Sequence, residues 1–428
     1  MNKLKSTKIA LCLVAVVCLL SGCARQPGEN TLMDYAPSPE SEPQTELTFL
    51  GYKADAINLI AIEDALHGFM IENPDIMVNY EGIKGAAYWD AFEKRKNTGN
   101  LNDLIMVNHD QVLALSQEHK LADLSDLSTL DTFASMVQNQ FTSKDGSVYF
   151  IPSCIASYGL YVNLDLLEKH GQSVPATLDE LIQVCDYFVS QDIIPIIINN
   201  SYSLRQLIVA KGLYPVYQQE NYEEEIQRFN SGQSDLVETI RPGVELAAMM
   251  VEHGWFDVEE ALKTNATSDD LVLFAQGERP FMVTGGWASP RIKAMEPGFE
   301  FEVCPFPVLD DGSVLVIDVN TCVSISAKSE NVAEAKRLIE YITQPDVLWK
   351  YCDSQSSFSP LKDNRTPSDL SLRPSAESLA RGDTVIGSDY NLTLPLDSAL
   401  DQCASLMLQG ANVDEVIQRL SVLLGNEC

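Results

Sequence analysis

The 428-residue sequence has few positive charges, few histidines and none of the short motifs that mark common catalytic sites. It carries 29 Lys and Arg against 61 Asp and Glu, which gives a formal net charge of -32. A surface this negative repels phosphate groups, so the composition argues against nucleic acid and anionic lipid surfaces as partners. It also disfavours a highly anionic ligand, unless a local group of arginines overrides the mean charge.

Signatures of catalysis and of metal binding are missing as well. No G-x-S-x-G elbow, H-E-x-x-H helix, P-loop or G-x-G-x-x-G fingerprint occurs, and the five histidines show no metal-ligand spacing. Adjacent acids such as Asp310 and Asp311 are typical of solvated turns, because chance pairs are expected among 61 acids. The sequence therefore predicts a protein with no catalytic residues, no cofactor and no metal.

Cysteine motifs are also absent, since the ten cysteines are scattered and form no C-x-x-C pair. This argues against a zinc site and against a dense disulfide framework. Seven cysteines lie beyond the N-terminal region, an odd number that cannot all pair within one chain, at positions 154, 185, 304, 322, 352, 403 and 428. Most are predicted to be small buried apolar residues, and one or two disulfides remain open.

The N-terminus holds a basic stretch, "MNKLKSTK", and an apolar stretch, "IALCLVAVVCLL", that is too short for a stable membrane span. The next residues, "LSGC", resemble the bacterial lipobox, whose cysteine receives lipid and begins the mature chain. We therefore expect a lipoprotein signal peptide at 1–22 and lipidation of Cys23. An ordinary secretory signal cut elsewhere is the alternative, and both interpretations place the protein outside the cytoplasm.

Residues 23–45 are polar and proline-rich and lack a periodic apolar pattern. Such a stretch cannot bury enough apolar surface to fold alone, so it is predicted to be a flexible tether. A lipid at its start would hold the rest of the chain at the outer face of the bacterial cell membrane, with the lipid as the only membrane anchor.

The body of the chain alternates predicted strands and helices. Three predicted strands, "ELTFLGY", "DIMVNYEGI" and "DLIMVN", are separated by two helical patterns. This β-α-β-α-β order predicts an α/β fold with a parallel sheet covered by helices. The alternation resumes after "SVYFIP", and the length predicts two lobes with a core each.

One stretch, "FAQGERPFMVTGGWASP", places a tryptophan directly after a buried strand. Gly277 ends a helical pattern, Arg279 to Val283 are predicted to form the strand, and Gly285 and Gly286 allow a sharp turn or a close approach. Trp287 would then be displayed at a strand end, which is where ligands bind in open α/β sheets. The alternative is that Trp287 fills the core beside the turn.

Several stretches in order resemble the family 1 extracellular solute-binding proteins of ABC importers, the group that includes maltose-binding protein. They include "NHDQVLALSQEHKLADLSDL", "VYFIPSCIASYGLYVNLDLLEKHG", "FAQGERPFMVTGGWASP" and "AEAKRLIEYITQPDVLWKYCDSQSSFSPLKD". The resemblance implies a two-lobed periplasmic-binding-protein fold, in which each lobe is a mostly parallel sheet flanked by helices and the ligand lies in the cleft between lobes. It implies a first lobe of 46–153 with 322–380 and a second of 154–321 with 381–428, joined by crossings near 152–156, 318–322 and 380–384.

The same resemblance implies a set of ligand-binding residues. Asp110 takes the place of a hydroxyl-binding carboxylate, Asn200 of a polar residue and Tyr202 of a stacking aromatic, with Arg205 close behind. The remaining candidates are Trp287, Tyr158, Tyr390 and Tyr52. 

Two positions depart from the family pattern. Ala156 stands where some sugar binders carry a carboxylate, and the loop with Tyr52 and Asp55 lacks an obvious match. From the residues alone, Asp110 also suits a helix N-cap and Tyr202 a core position.

The predicted function is capture of a small solute, a mono- or oligosaccharide, by hinge closure, and its delivery by a monomeric protein to the transmembrane subunits of an ABC permease. Aromatic rings stack on the apolar faces of sugars, and carboxylate and amide groups pair with hydroxyls. The alternatives are a sensory receptor of the same fold, a binder of peptides or cationic solutes such as polyamines, and a surface enzyme that acts on glycans.

Overall fold

The structure, a computed structural model, describes residues 30–33, 44–200, 202–363 and 365–425. The predicted signal peptide, the lipidation site Cys23 and most of the predicted tether lie outside the described residues. One part of the tether differs from the prediction, because Asn30–Met33 forms a strand, β1, that pairs antiparallel with residues 80–83. An edge strand leaves backbone groups unpaired, and a neighbouring segment can satisfy them.

The first part of the body has the predicted β-α-β-α-β order, which the structure confirms. Strands β2 and β3 are parallel in the register Leu47↔Val78, and β4 pairs parallel with β2 through Phe49↔Leu104. The elements are β2 (Thr45–Gly51), α1 (Ala56–Glu72), β3 (Ile76–Ile83), α2 (Ala86–Thr98), β4 (Leu104–Val107), α3 (His109–Gln117) and α4 (Ser135–Phe141).

The middle of the chain holds seven helices and three strands. The helices are α5 (Leu164–Lys169), α6 (Leu178–Ser190), α7 (Ser203–Tyr217), α8 (Tyr222–Asn230), α9 (Leu236–Glu252), α10 (Val258–Ala261) and α11 (Asp269–Ala275). The strands are β5 (Ile151–Asn163), β6 (Ile196–Ile197) and β7 (Phe281–Gly285).

The last part returns to the first half of the molecule and then leaves it again. Its elements are α12 (Ser289–Ala294), β8 (Phe301–Cys304), β9 (Leu315–Ile325), α13 (Val332–Ile342), α14 (Pro345–Ser354), α15 (Arg373–Arg381), β10 (Thr384–Ile386), α16 (Leu396–Leu408) and α17 (Val413–Leu423).

The two longest strands, β5 and β9, link the two halves. They run antiparallel from Ile151↔Val323 to Tyr158↔Val316, while β4 pairs with one end of β9 and β7 with the far end of β5. β10 pairs parallel with the start of β9. The described strands therefore form a mixed sheet. The α/β class is confirmed, but the antiparallel crossings make the sheets less parallel than predicted.

Two large apolar clusters of buried residues lie on opposite sides of these crossing strands. One includes Phe49, Tyr88 and Leu338, and the other includes Phe188, Leu207 and Leu400. Because each cluster draws on residues far apart in the chain, each half is completed only when the chain crosses back.

The six described cysteines beyond the N-terminal region, at 154, 185, 304, 322, 352 and 403, are all buried free thiols. Their burial confirms the prediction that they act as small apolar residues. None of the helices in the described ranges is both long and apolar enough to span a membrane.

Candidate functional site

Two adjoining cavities lie between the halves, beside the crossing strands. The larger has a volume of about 540 Å³ and the smaller about 150 Å³, and both are lined by Tyr52, Tyr158, Asn320 and Thr321. Their combined size falls in the usual range of ~300–1,000 Å³ for small-ligand sites. We call the two cavities together the cleft.

Three aromatic rings form one side of the cleft. The indole of Trp287 and the ring of Tyr158 line the larger cavity and meet edge to face at 5.0 Å between centroids. Tyr202 packs behind both, 5.4 Å from Tyr158 and 6.0 Å from Trp287. Its hydroxyl is 2.9 Å from Thr284 Oγ1, which holds the ring in place.

The two glycines before Trp287 leave room for side chains of other residues, which a Cβ at either position would meet. A Cβ on Gly285 would lie 2.2 Å from the indole of Trp287, and one on Gly286 would lie 2.7 Å from Ser157 Oγ. The Tyr161 hydroxyl donates to the carbonyls of Gly285 and Gly286 at 2.8 and 3.1 Å and fixes the turn. The glycines are therefore needed for close packing, and Trp287 lies at the strand end as predicted.

Three predicted binding residues do not line either cavity. Asn200 is exposed, and its backbone N–H donates to the Thr264 carbonyl at 2.9 Å. Tyr202 reaches the cleft only through the two rings it supports. Arg205 is largely buried and pairs with Asp397 and Asp401 at 3.3 and 3.4 Å.

Asp110 lines the smaller cavity and does not cap its helix. Helix α3 begins at His109, and its N-cap is Asn108, whose side chain accepts from Gln111 N at 3.1 Å. The N-cap interpretation of Asp110 is therefore wrong, because the helix starts two residues earlier than the apolar pattern indicated. The Asp110 side chain is 66% exposed, so its carboxylate is open to a ligand. A hydrogen bond from His109 lowers the pKa of Asp110 and favours the charged form.

Tyr52 and Tyr390 line the smaller cavity together with Asp110. Tyr390 stacks on Phe150 at 4.4 Å, and its hydroxyl lies 3.2 Å from Cys322 Sγ. Tyr52 and Tyr390, two predicted binding residues that lie far apart in the sequence, therefore line the same cavity as the Asp110 carboxylate.

A largely buried ionic group contributes Asp318 and Asp397 to the lining of the smaller cavity. Arg205 faces three carboxylates, those of Asp318, Asp397 and Asp401. Burial, followed by the charge of Asp397, raises the pKa of Asp318 to about 6, and burial raises the pKa of Asp401 to about 6. Asp318 is 5% exposed and accepts from Ser388 N at 2.7 Å. Three acids around one arginine leave net negative charge at this end of the cleft.

Asp318 supplies a carboxylate close to position 156, where some sugar binders carry one and this chain has alanine. Ala156 is paired directly opposite Asp318 on the neighbouring strand, and both line the cleft. Side chains of directly opposed residues project on the same face of a sheet. The structure thus brings a carboxylate to this region from β9 in place of β5.

The backbone of β9 is strained where it enters the cleft. Thr321 is 2% exposed and has a φ of 51°, a conformation that β-branched residues rarely adopt. Asn320 Oδ1 accepts from Thr321 N at 2.6 Å and supports this conformation. Strain of this kind costs about 1–3 kcal/mol and clusters at ligand sites and switch regions.

An ion pair also lines the larger cavity. Arg291 Nη2, at the start of α12, lies 2.8 Å from Asp55 Oδ2, and Arg291 Nη1 donates to the Trp287 carbonyl at 3.0 Å. Asp55 also caps helix α1 by accepting from Asn58 N at 3.1 Å. Burial raises the pKa of Asp55, but Arg291 and the cap outweigh it, so the net shift is downward.

Several cleft residues were not predicted from the sequence. They are Lys53, Lys84, Arg291, Asp318, Thr321, Tyr351, Gln355 and Asp397. One of these residues, Asp318, could have been found from the sequence. Asp318 and the nearby Asn320 are polar residues within an otherwise apolar strand pattern, "SVLVIDVNTCVSIS", and such interruptions indicate a candidate site. No group of three or more His, Cys, Asp or Glu side chains suited to a metal ion occurs among the described residues.

A two-lobed α/β fold with an aromatic and polar cleft defines a protein that captures small ligands. The family model of bacterial extracellular solute-binding proteins matches residues 65–372, and the chain belongs to this family. Its members work outside the cytoplasm, which agrees with the location predicted from the N-terminus.

Relatives with known functions or structures are distant in sequence. The multiple sugar-binding protein of Streptococcus mutans is 23% identical over 328 residues, which cover 73% of this chain and 75% of the relative. RafE from Streptococcus pneumoniae, solved in an apo form and in complex with raffinose, is 20% identical. The apo form has a TM-score of 0.69 and covers 90% of this chain and 98% of its own. 

A sugar transporter from Bacillus licheniformis in complex with stachyose is also 20% identical. It has a TM-score of 0.68 and covers 88% of this chain and 98% of its own. At these identities the structural likenesses show the fold, and they confirm the prediction of two lobes.

Proposed function

We propose that this solute-binding protein captures a mono- or oligosaccharide in its cleft and delivers it to an ABC permease. The observation that carries the proposal is that Trp287 and Tyr158 line a cavity of about 540 Å³ together with polar side chains. The multiple sugar-binding protein and the raffinose complex among its relatives support a saccharide as the ligand.

The chemistry of the cleft suits a sugar. The indole of Trp287 offers a flat apolar surface for the C–H face of a pyranose ring. Asp110, Asn320 and Gln355 supply acceptors and donors for its hydroxyls. A few stacked and hydrogen-bonded contacts can supply the roughly 8 kcal/mol that corresponds to a micromolar dissociation constant.

Closure would follow from contacts that the ligand makes to both lobes. We assign 46–153 and the segment after 322 to the first lobe, and 154–321 and 381–428 to the second. The segments Leu370–Leu372 and Arg373–Arg381, up to residue 380, were expected in the first lobe, but we assign them to the second. The reason is that Ser375 Oγ donates to the Val303 carbonyl of β8 at 2.7 Å. Only a ligand that binds the closed arrangement more tightly shifts the equilibrium toward it.

The remaining parts of the proposal concern partners. Lipid on Cys23 would hold the protein at the outer face of the membrane, and the monomer would dock on permease subunits that other chains supply. The binding function needs no catalytic residue, and the families of the relatives are binding proteins.

Thermal unfolding of the full chain in detergent, measured against sugars, polyols, amino acids, peptides and polyamines, tests the proposal. A saccharide at 100 times its dissociation constant should stabilise the fold by about 2.7 kcal/mol and raise the Tm. Stabilisation by polyamines or peptides alone would keep the solute-binding family and reject the sugar. Uptake of that saccharide by cells with and without the permease separates transport from sensing. A saccharide that stabilises the protein but is taken up equally in both would favour a sensory receptor.

A further inference from the structure

The larger cavity is positively charged although the chain is strongly acidic. Its charged lining side chains are Lys53, Lys84, Arg291 and Asp55, three basic and one acidic, in a chain with 29 basic and 61 acidic residues. Arg291 is paired with Asp55, and neither lysine has an ion pair with another described residue. Asp55 is the single acid near Lys53 in this lining and is already paired with Arg291, so Lys53, Lys84 and Arg291 carry more positive charge than Asp55 balances.

Lys53 shows the effect of this excess positive charge. Its ammonium group lies 5.7 Å from the centre of the Tyr52 ring, a contact that is favourable for a positive charge. Burial, and in addition the positive charge of Arg291, lowers the pKa of Lys53, although the charge of Asp55 acts in the opposite direction. A bound anion would reverse this effect, because an opposite charge nearby favours the charged form of lysine.

A helix terminus adds to the positive field. Helix α2, 13 residues long, starts after Gly85 with no side-chain cap and no acid in its first turn. Lys84 and Gly85 both line the larger cavity, so the unpaired N–H groups of this helix start at its edge.

Tyr351 gives an independent observation in the same cavity. This side chain is 9% exposed, and its hydroxyl makes no hydrogen bond of standard geometry in the described part of the chain, where the Thr321 side chain offers it only a weak contact. A buried hydroxyl without a good hydrogen bond is costly, so it is a position where a ligand oxygen would be stabilised.

We propose that the captured saccharide carries an anionic group, such as the carboxylate of a uronic acid, which binds beside Lys53, Lys84 and Arg291. This inference rests on the proposed sugar-binding function and names its substrate class. The hydroxyls of the sugar would face the other end of the cleft, where Asp110 and Asp318 accept hydrogen bonds. The negative net charge of the chain repels anions in general. An anionic sugar would overcome this repulsion because it also contacts the aromatic wall, and other anions would not.

Isothermal titration of the full chain in detergent with digalacturonic acid, a sulfated disaccharide, a neutral disaccharide and spermidine tests the proposal. We expect an acidic disaccharide to bind at least about tenfold more tightly than the neutral one, because hydrogen bonds between charged groups are stronger than those between neutral groups. The two acidic probes distinguish a carboxylate from a sulfate ester. Lys53→Gln should remove most of this preference, and Lys350→Gln, an exposed lysine outside the larger cavity, should leave it unchanged.

Salt dependence provides a measurement that does not depend on a variant folding. The affinity of the unmodified protein for the acidic disaccharide should fall several-fold between 50 mM and 500 mM NaCl, and a neutral sugar should show no such fall. Equal or tighter binding of the neutral disaccharide would overturn the acidic class and leave the sugar receptor standing. Binding of spermidine alone, or of no saccharide, would overturn both.

Discussion

The indole of Trp287 occupies the space where a Cβ on Gly285 would lie, at a distance of 2.2 Å. The indole of Trp287 folds back over the end of strand β7, so the last residue of that strand, Gly285, has to lack a side chain. This relationship fixes the position of Trp287 against Tyr158 and makes the aromatic wall of the cleft rigid. Rigid aromatic groups lose little conformational entropy on binding, which favours affinity.

Gly285→Ala should displace the indole and weaken saccharide binding about tenfold or more. The overpacked methyl group should also lower the free energy of unfolding by about 1–3 kcal/mol. Titration calorimetry and thermal unfolding measure the two effects. Gly312→Ala is the matched control, because a Cβ at Gly312 meets no atom within 4 Å, and unchanged affinity in Gly285→Ala would contradict the account.

Asp110 and Asn108 both line the smaller cavity, but only Asn108 caps the helix, so their variants should differ in their effect on stability. Asp110→Asn should weaken saccharide binding and change the free energy of unfolding by less than about 1 kcal/mol, since the mostly exposed Asp110 contributes a 3.4 Å contact with His109 and a charge near the helix start. Asn108→Ala should cost about 1 kcal/mol of stability through loss of the cap. Chemical denaturation and titration calorimetry of both variants would reject the assignment if Asp110→Asn binds like the unmodified protein.

Asp318 should make stability depend on pH in a defined direction. Its pKa in the folded state is about 6, above the ordinary value of 3.8, so its favourable contribution is full below pH 4 and is lost as the pH rises through 6. Asp318→Asn should therefore raise the free energy of unfolding by about 2 kcal/mol at pH 7.5 and by little at pH 4. Urea denaturation across this range provides the test, and a stabilisation that is equal at both pH values would contradict the buried charge.

Tyr351→Phe should change the stability of the ligand-free protein by less than about 0.5 kcal/mol, because the hydroxyl it removes has only a weak contact with Thr321 among the described residues. The same change should weaken binding of the captured solute several-fold. Tyr80→Phe is a contrasting control, since the Tyr80 hydroxyl donates to the Lys53 carbonyl at 2.9 Å and its loss should cost about 1 kcal/mol of stability. Loss of stability in Tyr351→Phe without a change in affinity would assign the hydroxyl a structural role.

The sequence was sufficient for features that depend on local pattern. The strand Phe281–Gly285, the β-α-β-α-β order and the position of Trp287 follow from apolar periodicity and from the glycine pair. The family resemblance predicted crossings near 152–156 and 318–322, where β5 and β9 pair in the register Pro152↔Cys322, and the division of the chain into lobes stays a prediction. These features involve neighbours in the chain or positions shared by a whole family.

Features that depend on distant contacts were not predicted. Arg205 was expected to contact the ligand, but it is held by Asp397 and Asp401, almost 200 positions further along the chain. The pairing of Arg291 with Asp55 and the collection of Lys53 and Lys84 in one cavity likewise exist only after the chain has crossed between its halves. Spacing along a sequence carries no information about such pairs.

The most direct test of the account is the affinity of Trp287→Ala for the saccharide that stabilises the unmodified chain. Loss of a central stacking residue should raise the Kd by about 30-fold, or about 2 kcal/mol, and loss of its packing against Tyr158 and Tyr202 should also lower the Tm. Trp349→Ala, which removes a tryptophan from α14 outside the cleft, should bind like the unmodified protein. Equal affinities in all three proteins would contradict the account and place the sugar site elsewhere.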